Sequence, residues 1–190
     1  MKTQKITILF CLVLILQSCM KVDEEKFYGK SNPTGYENNY AYVDLGLSVK
    51  WATCNVGATK PEGYGNYYAW GETTTKSSYA ESNYTYSSNP TTLPLSKDAA
   101  AVNMGGSWRM PTTAEQDELL TECTWTRTTS NNVSGYTVIG PNGNSIFLPA
   151  AGYRDDSDLD GAGSYGYYWS SSLFATARTS PTASTSIRAA

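Results

Sequence analysis

Beyond residue 40, apolar and aromatic residues come in short runs of about four or five, closed by glycines, prolines or an Asn-Gly pair, and that spacing most constrains the fold. Runs this short fall well below the length of an average helix but match a typical strand. Tyr42–Leu45 and Val49–Ala52 flank Gly46 and predict two strands around a turn, and Asn66–Trp70 predicts a third. Tyr136–Ile139 and Ser145–Leu148 lie on either side of Gly140-Pro141-Asn142-Gly143-Asn144, a hairpin signal. Ala150–Arg154 and Tyr167–Ser171 add two more candidate strands. Tyr64–Trp70 and Tyr165–Trp169 echo one another as similar strands rather than as a repeat, since nothing around them matches.

One helix stands out. Thr112, in Pro111-Thr112-Thr113-Ala114-Glu115, is an N-cap with Glu115 three residues on, a capping box that satisfies free backbone N–H groups. Leu119 and Cys123 follow at helical spacing with Leu120 beside them, while Glu115, Gln116, Asp117, Glu118 and Glu122 take the other positions and read as a solvated face. Residues 73–98, rich in Thr, Ser, Tyr and Asn, predict a long surface loop. Many short, mostly antiparallel strands with one clear helix place the chain in the α+β class.

Length and composition then bound the function. With 190 residues, 40% hydrophobic and 16% charged, the chain suits one globular domain with tails. It contains no histidine, which excludes a Ser-His-Asp triad, a Cys-His dyad and an HExxH zinc site. A net charge of −3 with scattered Lys and Arg gives no basic face, so no nucleic-acid partner is expected.

Lys2 and Lys5 precede an unbroken run from Ile6 to Leu16, a basic region and apolar core of signal-peptide length, too short to span a bilayer. Leu16-Gln17-Ser18-Cys19 resembles the bacterial lipobox, which makes residues 1–18 a lipoprotein signal peptide and Cys19 the lipidated residue; a plain cleaved signal peptide is the alternative. Asp23, Glu24 and Glu25 resemble the surface-export signal of Bacteroidota-type lipoproteins, implying an outer-membrane, surface-exposed protein. Residues 19–40 have the composition of a tether. Cys11 leaves with the signal peptide, so Cys54 and Cys123 form the candidate disulfide, with two buried thiols as the alternative.

Five strings carry a family resemblance: Tyr42 to Ala58, Tyr67 to Glu72, Gly105 to Thr112, Ile146 to Arg154 and Gly166 to Ser171. Their order across residues 41–172 resembles the Fibrobacter succinogenes major paralogous domain. The resemblance implies a secreted or surface module related in fold to C-type lectin-like domains and to the formylglycine-generating enzyme. That enzyme works through copper held by a cysteine pair late in its domain. Here no cysteine follows Cys123, so no enzymatic activity is expected and no catalytic residue is assigned. Arg109 reads instead as a structural arginine pairing with a carboxylate or backbone carbonyls beside the helix start.

The aromatic clusters offer a binding surface. Tyr67, Tyr68, Tyr167 and Tyr168 are the candidate ligand-binding residues, since aromatic faces stack on sugar C–H patches and the hydroxyls add hydrogen bonds. Trp51, Trp70, Trp108 and Trp169 are expected in the core. Asp156, Asp158 and Asp160 before Gly161 match the first half of a calcium loop but lack its closing glutamate. They read as solvated carboxylates of a polar loop, with weak calcium binding at best as the alternative, and no other cofactor is expected. The Asn-x-Ser/Thr strings at Asn83 and Asn132 carry no functional reading. Residues 173–190 turn Ala/Thr/Ser-rich with no aromatic after Phe174, where the resembled family continues with strands. Closing strands are therefore expected to be missing, as a truncated or frameshifted reading frame would leave them, with an unpaired sheet edge; a natural disordered tail is the alternative. The reading that follows is a lipid-anchored, non-catalytic binding or adhesion module with a glycan or surface-protein partner. A structural component of an envelope complex is second to it, and a formylglycine-generating-like enzyme a remote third.

Overall fold

The computed structural model describes residues 32–88, 90–173 and 186–189. The leader, Cys19 and the acidic cluster behind it lie outside the described residues. Within them the chain is α+β, built from antiparallel ladders and one main helix.

The first sheet begins inside the segment expected to be a tether. β1 (Gly35–Glu37) pairs with β2 (Tyr40–Val43), and β2 with β3 (Trp51–Ala52). Asn38 and Asn39 close the β1–β2 turn with φ of 46° and 67°. Asparagine tolerates this left-handed region, and two such residues in a row make the turn whose twist suits a tight hairpin.

Two helices follow. α1 (Ala99–Met104) is capped by Asp98, whose buried carboxylate accepts from Ala101 N at 2.9 Å and from Met110 N at 2.8 Å. α2 (Thr113–Glu122) carries the predicted capping box, with Thr112 and Glu115 bonding reciprocally. At its start Arg109 meets both Glu115 oxygens and donates to Met110 O at 3.1 Å, as its reading as a structural arginine required.

The second sheet runs β4 (Thr124–Ser130), β5 (Val133–Ile139), β6 (Ser145–Pro149). Ile139 pairs with Ser145, so the hairpin predicted around Asn142-Gly143 closes where the sequence placed it. The other turn, Asn131-Asn132, repeats the left-handed pair of the first sheet with φ of 46° and 65°. The Asn132 string is therefore a hairpin turn. Val43, Leu45, Leu119, Val138 and Ile146 form the core between the first sheet, α2 and the second sheet. Gly140 lets the two sheets meet there, since a Cβ at that position would lie 2.1 Å from Leu45 O.

The remaining strands depart from expectation. Ala150–Arg154 is not one strand: β7 (Tyr153–Asp155) turns at once into β8 (Asp158–Asp160). β9 (Gly166–Trp169) pairs with β10 (Ser186–Ala189) of the tail, so that edge of β9 is covered rather than bare. Residues 73–98 also do more than cross the surface. Leu93 is buried, Leu93 N donates to Ser171 O at 2.8 Å, and Thr92 bridges to Ser172.

Candidate ligand cleft

A cleft of about 1020 Å³ is lined by three segments, 48–56, 66–70 and 167–169, together with residues of α2, β6 and β7. Its walls follow from how the aromatic runs satisfy their backbones.

Asn66–Trp70 was expected to be a strand and is an extended segment outside any ladder. Three of its carbonyls are taken by side chains instead, while Ala69 O accepts from Glu72 N at 3.0 Å. Tyr67 O accepts from the Tyr79 hydroxyl, Tyr68 O from Trp169 Nε1 at 2.8 Å, and Trp70 O from the Tyr84 hydroxyl at 2.8 Å. Trp70 Nε1 in turn donates to Ser170 O at 2.9 Å. The two segments that echo one another in sequence thus exchange indole hydrogen bonds. That exchange holds them side by side without a shared ladder and leaves their other side chains to the cleft.

All four predicted tyrosines line this cleft, but they do different work. Tyr168 is locked, its hydroxyl donating to Pro149 O at 2.7 Å, and burial raises its pKa well above the ordinary tyrosine value. Tyr68 keeps a half-buried ring whose hydroxyl accepts from Asn66 Nδ2 at 3.3 Å. Tyr67 donates to Ala151 O at 2.6 Å, and its ring lies 5.3 Å from the Arg154 guanidinium, a cation–π distance. Burial raises the Tyr67 hydroxyl pKa, with Arg154 opposing. Tyr167 meets Tyr153 edge to face, ring centroids 5.1 Å apart at 74°. The mouth is therefore an aromatic corner of Tyr67, Tyr153 and Tyr167 with Arg154 across it.

Tyr153 and Arg154 were not among the predicted site residues. The signal was present in the aromatic-basic pair beside Asp155, but reading Ala150–Arg154 as one strand hid it. The tryptophans need a similar correction. Of the four, Trp70 is buried, at 4% exposure, and Trp51 packs half-buried against the core cluster as expected, while Trp108 and Trp169 are half-buried outside it; all four line the cleft. An indole N–H that finds a carbonyl at the surface of the core, as Trp108 does with Glu37 O at 2.8 Å, keeps one ring edge outward.

The half-matched calcium loop is a hairpin. Asp156 occupies its turn with φ of 50°, and Asp158 and Asp160 belong to β8, exposed. Strand pairing spreads these carboxylates along a ladder. Among the described residues no three acidic or thiol groups come together as a metal would require. Cys54 and Cys123 are free thiols, not a disulfide. Cys54 follows β3 and lines the cleft, whereas Cys123 ends α2 against the core cluster. Burial, then Glu118 and Glu122, push the Cys123 thiol pKa up.

Comparison with known proteins finds no family model, no curated protein and no solved structure that matches this chain.

Proposed function

We propose that the chain is a non-catalytic surface module of the Fibrobacter succinogenes major paralogous type, anchored in the outer membrane through lipid on Cys19, that binds carbohydrate in its cleft. The observation that carries this reading is the shape of the aromatic surface. Tyrosine and tryptophan side chains wall a concave space of about 1020 Å³, and the exposed charged residues Lys50, Arg154 and Asp155 also line it. A flat apolar patch would favour a protein partner, whereas a concave aromatic wall with a few polar groups suits a ring that has apolar faces and a polar edge. The Tyr153–Tyr167 corner presents ring surface to sugar C–H groups, and Arg154 and Asp155 supply a donor and an acceptor beside it.

A glycan array probed with the detergent-solubilised full chain tests the reading. Retention on carbohydrate spots, lost on Tyr153→Ala, supports it, and a blank array refutes it. Anchoring is checked separately: Cys19→Ser should move the protein from the membrane fraction to the soluble one, and wild-type protein without a lipid mass increment would refute the anchor.

A further inference from the structure

Among the described residues, three buried side-chain atoms lack a hydrogen-bond partner: Trp51 Nε1, Glu72 Oε2 and Gln116 Oε1. Charge accounts for the Glu72 oxygen, since Lys76 Nζ stands 2.6 Å from it. The other two belong to residues that line the same cleft, one from β3 and one from α2. Buried polar atoms are nearly always satisfied, so a donor and an acceptor left over on one cleft point to what that cleft receives.

Their chemistry is directional. Gln116 is 1% exposed, and its Nε2 donates to Tyr168 O at 3.0 Å. A carbonyl only accepts, so this bond fixes which way the amide points and leaves Oε1 as an acceptor. The Trp51 indole offers only a donor. Neither group is charged, and Arg109 and Glu115, which also line the cleft, are closed on one another. The matching ligand brings one acceptor and one donor without net charge, and hydroxyl groups bring both. A carboxylate set against these two neutral groups would gain no charge-assisted bond from either and would repel the Gln116 oxygen.

We propose that Trp51 and Gln116 are the specificity residues of this site and read the hydroxyls of an uncharged sugar. One hydroxyl accepts from Trp51 Nε1, and one donates to Gln116 Oε1. The proposal rests on the carbohydrate reading above. Both atoms are covered in the free protein, and Trp51 packs half-buried against the core cluster, so a sugar that reaches them has to displace the Trp51 ring, and binding would change the indole environment. An extended peptide also offers uncharged N–H and C=O groups. The aromatic corner of Tyr153 and Tyr167 favours the faces of sugar rings over a peptide backbone.

The test uses the full chain in a sugar-free detergent, titrated calorimetrically with cellohexaose, xylohexaose, mannohexaose, an oligogalacturonate of equal length and an uncharged control peptide. The wild type should bind an uncharged hexaose, and Trp51→Phe and Gln116→Leu should each bind it about tenfold more weakly. Trp51→Phe should melt close to the wild type, because it deletes an unpaired donor, and it should remove part of the ligand-induced fluorescence change. Should Gln116→Leu fail to fold, Trp51→Phe carries the test alone. Equal hexaose affinity in wild type and Trp51→Phe overturns the inference while leaving the carbohydrate reading intact. Preference for the oligogalacturonate overturns the choice of an uncharged ligand. Binding of the peptide alone, or of nothing, removes the carbohydrate reading itself.

Discussion

Replacing Glu115 by Gln should destabilise the protein near pH 7 and leave it unaffected in strong acid. Glu115 sits at the third position of α2, where its carboxylate accepts from Thr112 N at 2.7 Å and from both Arg109 amino groups. The Arg109 hydrogen bonds hold its pKa at about 2, against an ordinary 4.5. At ~1.4 kcal/mol per unit, that depression corresponds to ~3 kcal/mol of preference for the folded state. The Arg109 side chain is 38% exposed and Glu115 14%, so solvent screens part of the attraction. A contribution of ~1–2 kcal/mol is the better expectation. Glutamine preserves the capping box, because its amide oxygen still accepts from the N-cap backbone, but its NH2 group cannot accept, so the charge and one of the two Arg109 hydrogen bonds are lost together.

The pH dependence follows from the direction of the shift. A carboxylate whose pKa is lower when folded stabilises fully above its unfolded value, and the contribution disappears as pH falls through the folded one. The difference between wild type and Glu115→Gln should therefore be constant above about pH 5 and close between there and about pH 2. Glu62 and Glu72 are also depressed, so acid weakens the wild type for several reasons, and only the difference isolates Glu115. Urea melts of both proteins across this range measure it. A gap near zero at neutral pH, or one that persists undiminished near pH 2, would refute the linkage.

Gly140→Ala places a methyl group 2.1 Å from Leu45 O and 2.7 Å from Leu45 Cβ, neither of which can move freely. It should cost ~3 kcal/mol in urea unfolding, against ~1 kcal/mol for Gly143→Ala, which meets only backbone strain; equal effects would sink the close-approach account. Reduction with dithiothreitol should shift the melting temperature by less than ~1 °C, because Cys54 and Cys123 are unbonded; a drop of several degrees would establish a bridge. Calcium up to ~1 mM should leave the melting temperature unchanged, and a micromolar response lost on Asp158→Asn would restore the metal reading.

How much of this was readable beforehand divides along a physical line. Elements held by neighbours in sequence were legible: the Thr112–Glu115 capping box, and the hairpin across Gly140–Asn144. The Asn38-Asn39 and Asn131-Asn132 turns belong to the same local class and were readable in principle. They were passed over because one lay in an apparent tether and the other in a glycosylation-like string. Six-residue α1 has too few turns to show a period, and only Asp98 before an alanine run announces it. The site was legible in composition but not in arrangement. Aromatic alternation assumes that a strand's carbonyls belong to a ladder, and in 66–70 they belong to Tyr79, Tyr84 and Trp169. Tyr168 and Tyr67 make the same point, since each hydroxyl is fixed by a distant carbonyl, Pro149 O and Ala151 O, and only the Tyr67 ring also lies against Arg154. Side chains that carry both an apolar face and a hydrogen-bonding tip can replace a ladder or line a ligand site. Which of the two a given ring does depends on a carbonyl as many as a hundred residues away, as Trp70 on Ser170 O shows. Two such indole bonds, Trp169 to Tyr68 O and Trp70 to Ser170 O, join neighbouring segments, and tyrosines from both segments line the same cleft.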